Sequence, residues 1–172
     1  MNNYKRLKGK ICHQYILKIL KMKKKSSLNI DLLCLIDGKY CFVEDNKIFS
    51  GFVEGHTTGL LVNGLQEKEW KSFHKNGKIF WRGDFKKGKK QSTFYTFYDN
   101  GQLLKFIKYK KDLPDGEWKT YWKNGNLWIR GFYNHGLEIG IWEYYNRDGT
   151  LRKKEQKSSL KENNISFNPT FH

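Results

Sequence analysis

Residues 116–140 read GEWKTYWKNGNLWIRGFYNHGLEIG, and this stretch decides the fold. Asn124-Gly125 stands between two aromatic-rich runs, the strongest short-range signal of a β-hairpin. A type I′ turn there would need φ > 0 at both central residues, and Asn and Gly tolerate that best. The run before the turn carries Trp118, Tyr121 and Trp122; the run after it carries Leu127, Trp128 and Tyr133. Aromatic side chains suit a half-buried pleated surface better than a helix. A second turn around Gly136 leads the chain out of the hairpin.

The same pattern recurs every 24 residues on both sides. Trp70, Phe94, Trp118 and Trp142 share one column, and Phe73, Phe97, Tyr121 and Tyr145 another. The turn column holds Asn76-Gly77, Asn100-Gly101, Asn124-Gly125 and Asp148-Gly149, followed by Ile79, Leu103, Leu127 and Leu151. Phe85, Tyr109 and Tyr133 close each unit, and Gly64, Gly88, Asp112 and Gly136 mark the turns between units. Gly59 and Leu61 fall in the columns of Gly83 and Phe85, so 59–67 reads as the second half of an atypical first unit. A gapless repeat of this length is a repeat architecture. The predicted fold is all-β: a single-layer, twisted β-meander of about ten strands and roughly 45 Å at ~4.8 Å per strand. The chain divides into a basic segment (1–27), a leading hairpin with the atypical first unit (28–67), the repeats (68–155) and a polar tail (156–172).

Two-residue Asn-Gly loops would set Trp70 opposite Gly83, Phe94 opposite Ile107 and Trp118 opposite Gly131. A ring facing a glycine can cover its bare backbone. His74, Tyr98 and Trp122 are expected on that same core face, against Ile79, Leu103 and Leu127. Alternation sends a second aromatic set to the other face. There Phe73 should pair with Phe80, Phe97 with Leu104 and Tyr121 with Trp128, with Tyr145 beyond. Lys71 with Arg82 and Lys119 with Arg130 flank these rings. Rings beside cations recur in protein interfaces, so these ten residues are the candidate partner-binding stripe: Phe73, Phe80, Phe97, Tyr121, Trp128, Tyr145, Lys71, Arg82, Lys119 and Arg130. The alternative is that twist and curl pack the rings within the sheet or under the termini.

The composition agrees: there is no alanine, and there are 28 aromatic residues. The formal charge of +16 is uneven, with +9 in residues 1–25 and −3 in residues 26–66. Such a chain attracts anionic partners at low salt, but the charge shows no specific nucleic-acid motif. Cys12, Cys34 and Cys41 form no CxxC pair and no metal-ligand spacing. If Asp37-Gly38 is a two-residue turn, Cys34 and Cys41 lie directly opposite, within reach of a disulfide. No run approaches the ~18 apolar residues of a membrane span, and the lysine-interrupted start is a poor secretion signal. A cytoplasmic protein, with free thiols and at most a peripheral membrane association, is expected. Residues 10–25 read either as a basic amphipathic helix suited to a membrane surface or as a segment docked on the sheet or disordered.

These units resemble the MORN repeat variant found in many bacterial proteins, whose pattern is Gly-x-Trp, Tyr, Asn-Gly-x-Leu and Tyr-x-x-Gly. Gly116, Trp118, Tyr121, Asn124, Gly125, Leu127, Tyr133, Gly136 and Gly140 carry the match. Residues 31–51, DLLCLIDGKYCFVEDNKIFSG, look like the leading hairpin of such proteins. The second unit departs from the pattern, with Ile107 for glycine and Ser92-Thr93-Phe94 at its start. The resemblance implies a binding or scaffolding role, and relatives are often labelled antitoxin-like.

Nothing in the sequence assembles a catalytic site. His13, His56, His74, His135 and His172 form no HExxH-type motif, and there is no GxSxG elbow or P-loop. Glu69, Glu117 and Glu143 sit among lysines as cross-strand charge partners. The reading is a non-enzymatic protein without cofactor, metal or small-molecule substrate, binding an unidentified protein partner, a toxin among the candidates. The alternative is peripheral binding to anionic lipid surfaces through the basic residues.

Overall fold

The computed structural model describes residues 27–157. Eleven of the described strands form one sheet. From β4 (Gly51–Glu54) and β5 (Thr57–Val62) onward every strand is antiparallel to the one before it in the chain. The repeats supply β6 (Leu65–Phe73), β7 (Ile79–Lys86), β8 (Lys89–Phe97), β9 (Leu103–Lys110), β10 (Leu113–Tyr121), β11 (Leu127–Asn134), β12 (Leu137–Tyr145) and β13 (Leu151–Lys157). The sheet is open and uncurled, a meander of repeated hairpins as the sequence indicated. The N-terminal helix considered for 10–25 lies outside the described residues.

The leading hairpin departs from the simple meander. β1 (Ser27–Asn29) pairs in parallel with β4 at the edge of the sheet. Between them a 3-10 turn (Ile30–Leu32) leads into β2 (Leu33–Ile36) and β3 (Lys39–Phe42), which form a separate two-stranded sheet. This hairpin roofs one face of the main sheet. Leu28, Ile30 and Leu33 share a buried cluster with Val53, Leu61, Trp70, Phe85 and Phe94, and Tyr40 stacks on Trp70 with centroids 6.2 Å apart. The backbone ties the roof down: Tyr40 N–H donates to the Gly64 carbonyl, and Gly64 N–H to that of Phe49, each at 2.8 Å. The hairpin carries its own apolar side chains and lies next to an aromatic face, so stacking the two buries both where a coplanar strand pair would bury neither.

The two rims of the sheet use different turns, and the Asn-Gly rim is not the expected one. At the rim between units, two-residue loops run Asn63-Gly64, Lys87-Gly88, Lys111-Asp112 and His135-Gly136, each with positive φ at both residues. These are the type I′ turns. At the Asn-Gly rim, Gly77 N–H donates back to the His74 carbonyl at 2.9 Å and φ is positive at Gly77 but not at Asn76. That is a type I turn followed by a left-handed glycine, a three-residue loop with a bulge. Asn76 sits there because its side-chain oxygen accepts from Lys78 N–H at 3.1 Å; Asn100, Asn124 and Asp148 repeat the contact.

The bulge moves the register by one beside each turn. Phe73 pairs with Ile79, Phe97 with Leu103 and Tyr121 with Leu127, correcting the expected partners Phe80, Leu104 and Trp128. It also shifts the column of His74 and Trp122 away from the core face. His74 lies 4.9 Å from Phe80, and Trp122 stacks on Trp128 at 4.4 Å. Away from the turn the expected register holds: Trp70 opposite Gly83, Phe94 opposite Ile107, Trp118 opposite Gly131.

The glycines these rings cover lie on the strand before their own hairpin: Trp70 opposes Gly83, Phe94 opposes Ile107 and Trp142 opposes Glu155, yet each ring lies over an earlier glycine. A Cβ built on Gly59 would lie 2.2 Å from the Trp70 ring, one on Gly83 2.5 Å from Phe94, and one on Gly131 2.3 Å from Trp142. Each ring lies back over the preceding unit, stitching neighbouring hairpins together. Gly59 takes the place of Gly83 under the first of these rings. Trp70 is fully buried, whereas Trp118, whose preceding strand presents Ile107, is only half-buried.

Candidate functional site

The face opposite the roof carries a row of residues placed side by side on successive strands. Lys71, Arg82, Tyr95, Phe106, Lys119, Arg130, Glu143 and Lys154 oppose one another in turn. Two of these pairings, Lys71 with Arg82 and Lys119 with Arg130, put like charges directly opposite, which is unfavourable unless compensated. Local acids compensate them. Glu69 lies 2.7 Å from Lys71 and 3.8 Å from Arg82, and Glu117 lies 2.6 Å from Lys119. Rings compensate them too: the Arg82 guanidinium sits 4.8 Å from the centre of Tyr95, and the Lys119 ammonium 6.0 Å from that of Phe106.

Glu143 is the anchor of the row. It is 7% exposed and takes bonds from Arg130, from Lys154 at 2.9 Å and from the Tyr145 hydroxyl at 2.8 Å. Arg130 first, then Lys154 and Tyr145, hold its carboxyl down to about 2. The neighbouring carboxylate pushes the Tyr145 phenol upward along with its desolvation, the larger cause. Glu143 was expected only as one charge partner among several; nothing in one sequence shows that three donors converge on it.

Beside this row, towards the Asn-Gly rim, runs the aromatic belt. Phe73, Phe97, Tyr121, Trp128 and Tyr145 are half-buried and Phe80 is 41% exposed. Tyr95 joins the belt to the row, 6.4 Å from Phe97 and 5.6 Å from Phe106. The rim residues outside the expected stripe, His74, Tyr98 and Trp122, bond to the next unit: each reaches a backbone carbonyl 23 residues on, at Phe97, Tyr121 and Tyr145. Their polar tips therefore clamp adjacent hairpins, which is why a ring with a donor recurs there. Each expected cation lies in the charged row beside the expected rings.

Among the described residues no group of three or more His, Cys, Asp or Glu could hold a metal ion. His56 meets Asp31 at 3.1 Å on an exposed surface, and His135 occupies a turn with φ +49°. Neither joins a nucleophile. No helix of the described residues is long and apolar enough to cross a membrane. The arrangement sets flat rings, guanidinium planes and ammonium groups side by side on one face of the sheet.

The repeating geometry explains the comparison with known families. Residues 66–86 and 114–135 each span a hairpin with its bulged Asn-Gly turn and its glycine under the next unit's ring. Both segments match the MORN repeat variant. The intervening unit, with Ser92 and Ile107, continues the MORN-type hairpin without a break in the sheet. MORN repeats are generally associated with binding, to proteins or to membranes. No curated protein sequence is significantly similar to the chain.

Proposed function

We propose that this protein is a non-enzymatic, MORN-type scaffold that binds a protein partner on the face opposite the roof. The observation that carries the reading is the pairing of an aromatic belt with a charged row on a face the leading hairpin leaves open. Aromatic and arginine side chains contribute most to protein interfaces, since both bury area at low conformational cost. The site centres on Tyr121 and Trp128, with Phe73, Phe80, Phe97 and Tyr145 along the belt and Lys71, Arg82, Lys119 and Arg130 beside it. An antitoxin-like role is a narrower form of the same reading, tested by co-purification with a small toxin-like protein.

Affinity capture from the source cells, with the double variant Tyr121→Ala/Trp128→Ala as control, tests the proposal. A partner held through this belt is recovered by the wild type and lost by the variant. Recovery of the same partner by both would remove the belt from the site. A second reading, binding to anionic lipid surfaces, draws on the lysines of the roofed face: Lys90 lies 5.0 Å from the centre of Tyr109, and Lys105 5.4 Å from that of Trp118. Vesicle binding driven by such charges should collapse as the Debye length shrinks from ~10 Å to ~3 Å between 0.1 and 1 M salt. Capture through the belt should survive that change.

A further inference from the structure

We infer that Cys34 and Cys41 form a thiol–disulfide exchange site in the roof hairpin, one that reacts with low-molecular-weight disulfides. The two residues are directly opposed across β2 and β3, both as free thiols. The register is pinned by the two-residue Asp37-Gly38 turn, with φ +47° and +74°. Directly opposed residues on antiparallel strands have Cα atoms ~4.5–5.5 Å apart, inside the ~4.4–6.8 Å range that a disulfide spans. Their Cβ separation of ~4.5–5.5 Å must shorten to the ~3.5–4.5 Å of a disulfide. The polar contacts of both sulfurs are weak. The Cys34 thiol meets the Cys41 carbonyl at 3.6 Å, and the Cys41 thiol meets the Lys39 carbonyl at 3.6 Å.

Burial sets the order of events. Cys34 is half-exposed and Cys41 only 4% exposed. The Cys34 thiolate attacks one sulfur of oxidised glutathione, forms a mixed disulfide and expels one glutathione thiolate. The Cys41 thiolate then attacks the Cys34 sulfur, closes the Cys34–Cys41 bond and expels the second. Two protein thiols are oxidised, one glutathione disulfide is reduced to two thiols, and the two protons end on those thiols. The exchange runs both ways, so reduced glutathione reopens the bond. The site lies where closure has a consequence: Tyr40, next to Cys41, is the residue that stacks on Trp70 and bonds to Gly64. A closed pair therefore stiffens the roof over the buried cluster.

The sequence makes the test direct. Trypsin cleaves after Lys25, Lys39 and Lys47, so Cys34 and Cys41 fall in separate peptides, 26–39 and 40–47. The full-length protein is incubated with oxidised glutathione, alkylated, digested and analysed by mass spectrometry without reduction. The inference requires the two peptides to appear joined, two hydrogens lighter than their sum, and to separate after treatment with reduced glutathione. It also requires Cys41→Ser to leave Cys34 carrying a stable glutathione adduct, and Cys12→Ser to form the same link as the wild type. Glutathione adducts on the wild type without a linked pair would overturn it. So would linkage of either residue to Cys12, or a link that reduced glutathione does not open.

Discussion

The two faces of this sheet are made from the same repeated strands yet solve different problems. On the roofed face, Trp70 and Leu61 are wholly buried and Phe85 and Phe94 nearly so, packed under Leu28, Ile30, Leu33 and Tyr40. On the opposite face the equally aromatic belt is only half-buried, and the row beside it spends three carboxylates on balancing cations. Alternation along a strand gives both faces rings; what separates them is the covering hairpin. Burial is concentrated on the first face, and the proposed partner site is on the second. The array also ends differently from how it runs. In β13, Arg152, Lys153, Glu155 and Lys157 stand in the columns of Trp128, Ile129, Gly131 and Tyr133, which places charge along the last of the described strands.

Several changes would break or sharpen this division. The largest effect is expected from Trp70→Ala, which removes a fully buried ring and leaves the backbone of Gly59 uncovered. A loss of about 3–5 kcal/mol is expected in urea unfolding. Next comes Gly125→Val, on the rim between the faces, where φ is +91° and nothing crowds the position. Only backbone strain opposes the new side chain, so the loss should be about 1–2 kcal/mol, and Gly125→Asn should be tolerated much better. Equal losses from the two substitutions would contradict the turn geometry. Lys68→Gly should act in the opposite direction. Lys68 and Ser92 hold φ +61° and +59° at bulges where the later units have Gly116 and Gly140. Glycine there should raise the unfolding free energy by up to about 1 kcal/mol.

Acid tests the charged row through Glu143. The folded protein holds Glu143 at about 2 against an ordinary value of 4.5. A lowered carboxylate pKa adds stability that is complete above the ordinary value and lost as pH falls through the folded one. The melting temperature should therefore drop between pH 4.5 and 2, and Glu143→Gln should shrink that step while lowering stability at pH 7. Glu155, also held to about 2 by Lys157 and Lys153, leaves part of the step in place. An unchanged acid step in Glu143→Gln would mean that the buried carboxylate does not bind its three donors.

The fold was legible because one 24-residue period fixed both strands and turns, and the middle of each hairpin followed from it. Three features were not. Asn-Gly favours two kinds of hairpin turn; the choice depended on Asn76 bonding Lys78 N–H, so the pairs beside the turn slipped by one. Ring direction cannot be read from register: Trp70 opposes Gly83 yet lies over Gly59. The leading hairpin had strand chemistry like any other, and only its fit against Trp70 made it a roof. The candidate stripe was placed by alternation, which survives a local slip for Lys71, Arg82, Lys119 and Arg130. Glu143 stayed hidden because its burial depends on side chains from β11, β12 and β13 together.

The division of the two faces is tested most directly by the thermal melting of Tyr121→Ala/Trp128→Ala beside Trp70→Ala, followed by β-sheet circular dichroism. The double variant should keep the wild-type spectrum and melt within a few degrees of it. Trp70→Ala should melt about 10 °C lower or more, at the usual few degrees per kcal/mol for a domain of this size. If the double variant melts as low as Trp70→Ala, the belt rings are core, and the face opposite the roof is not where this protein meets a partner.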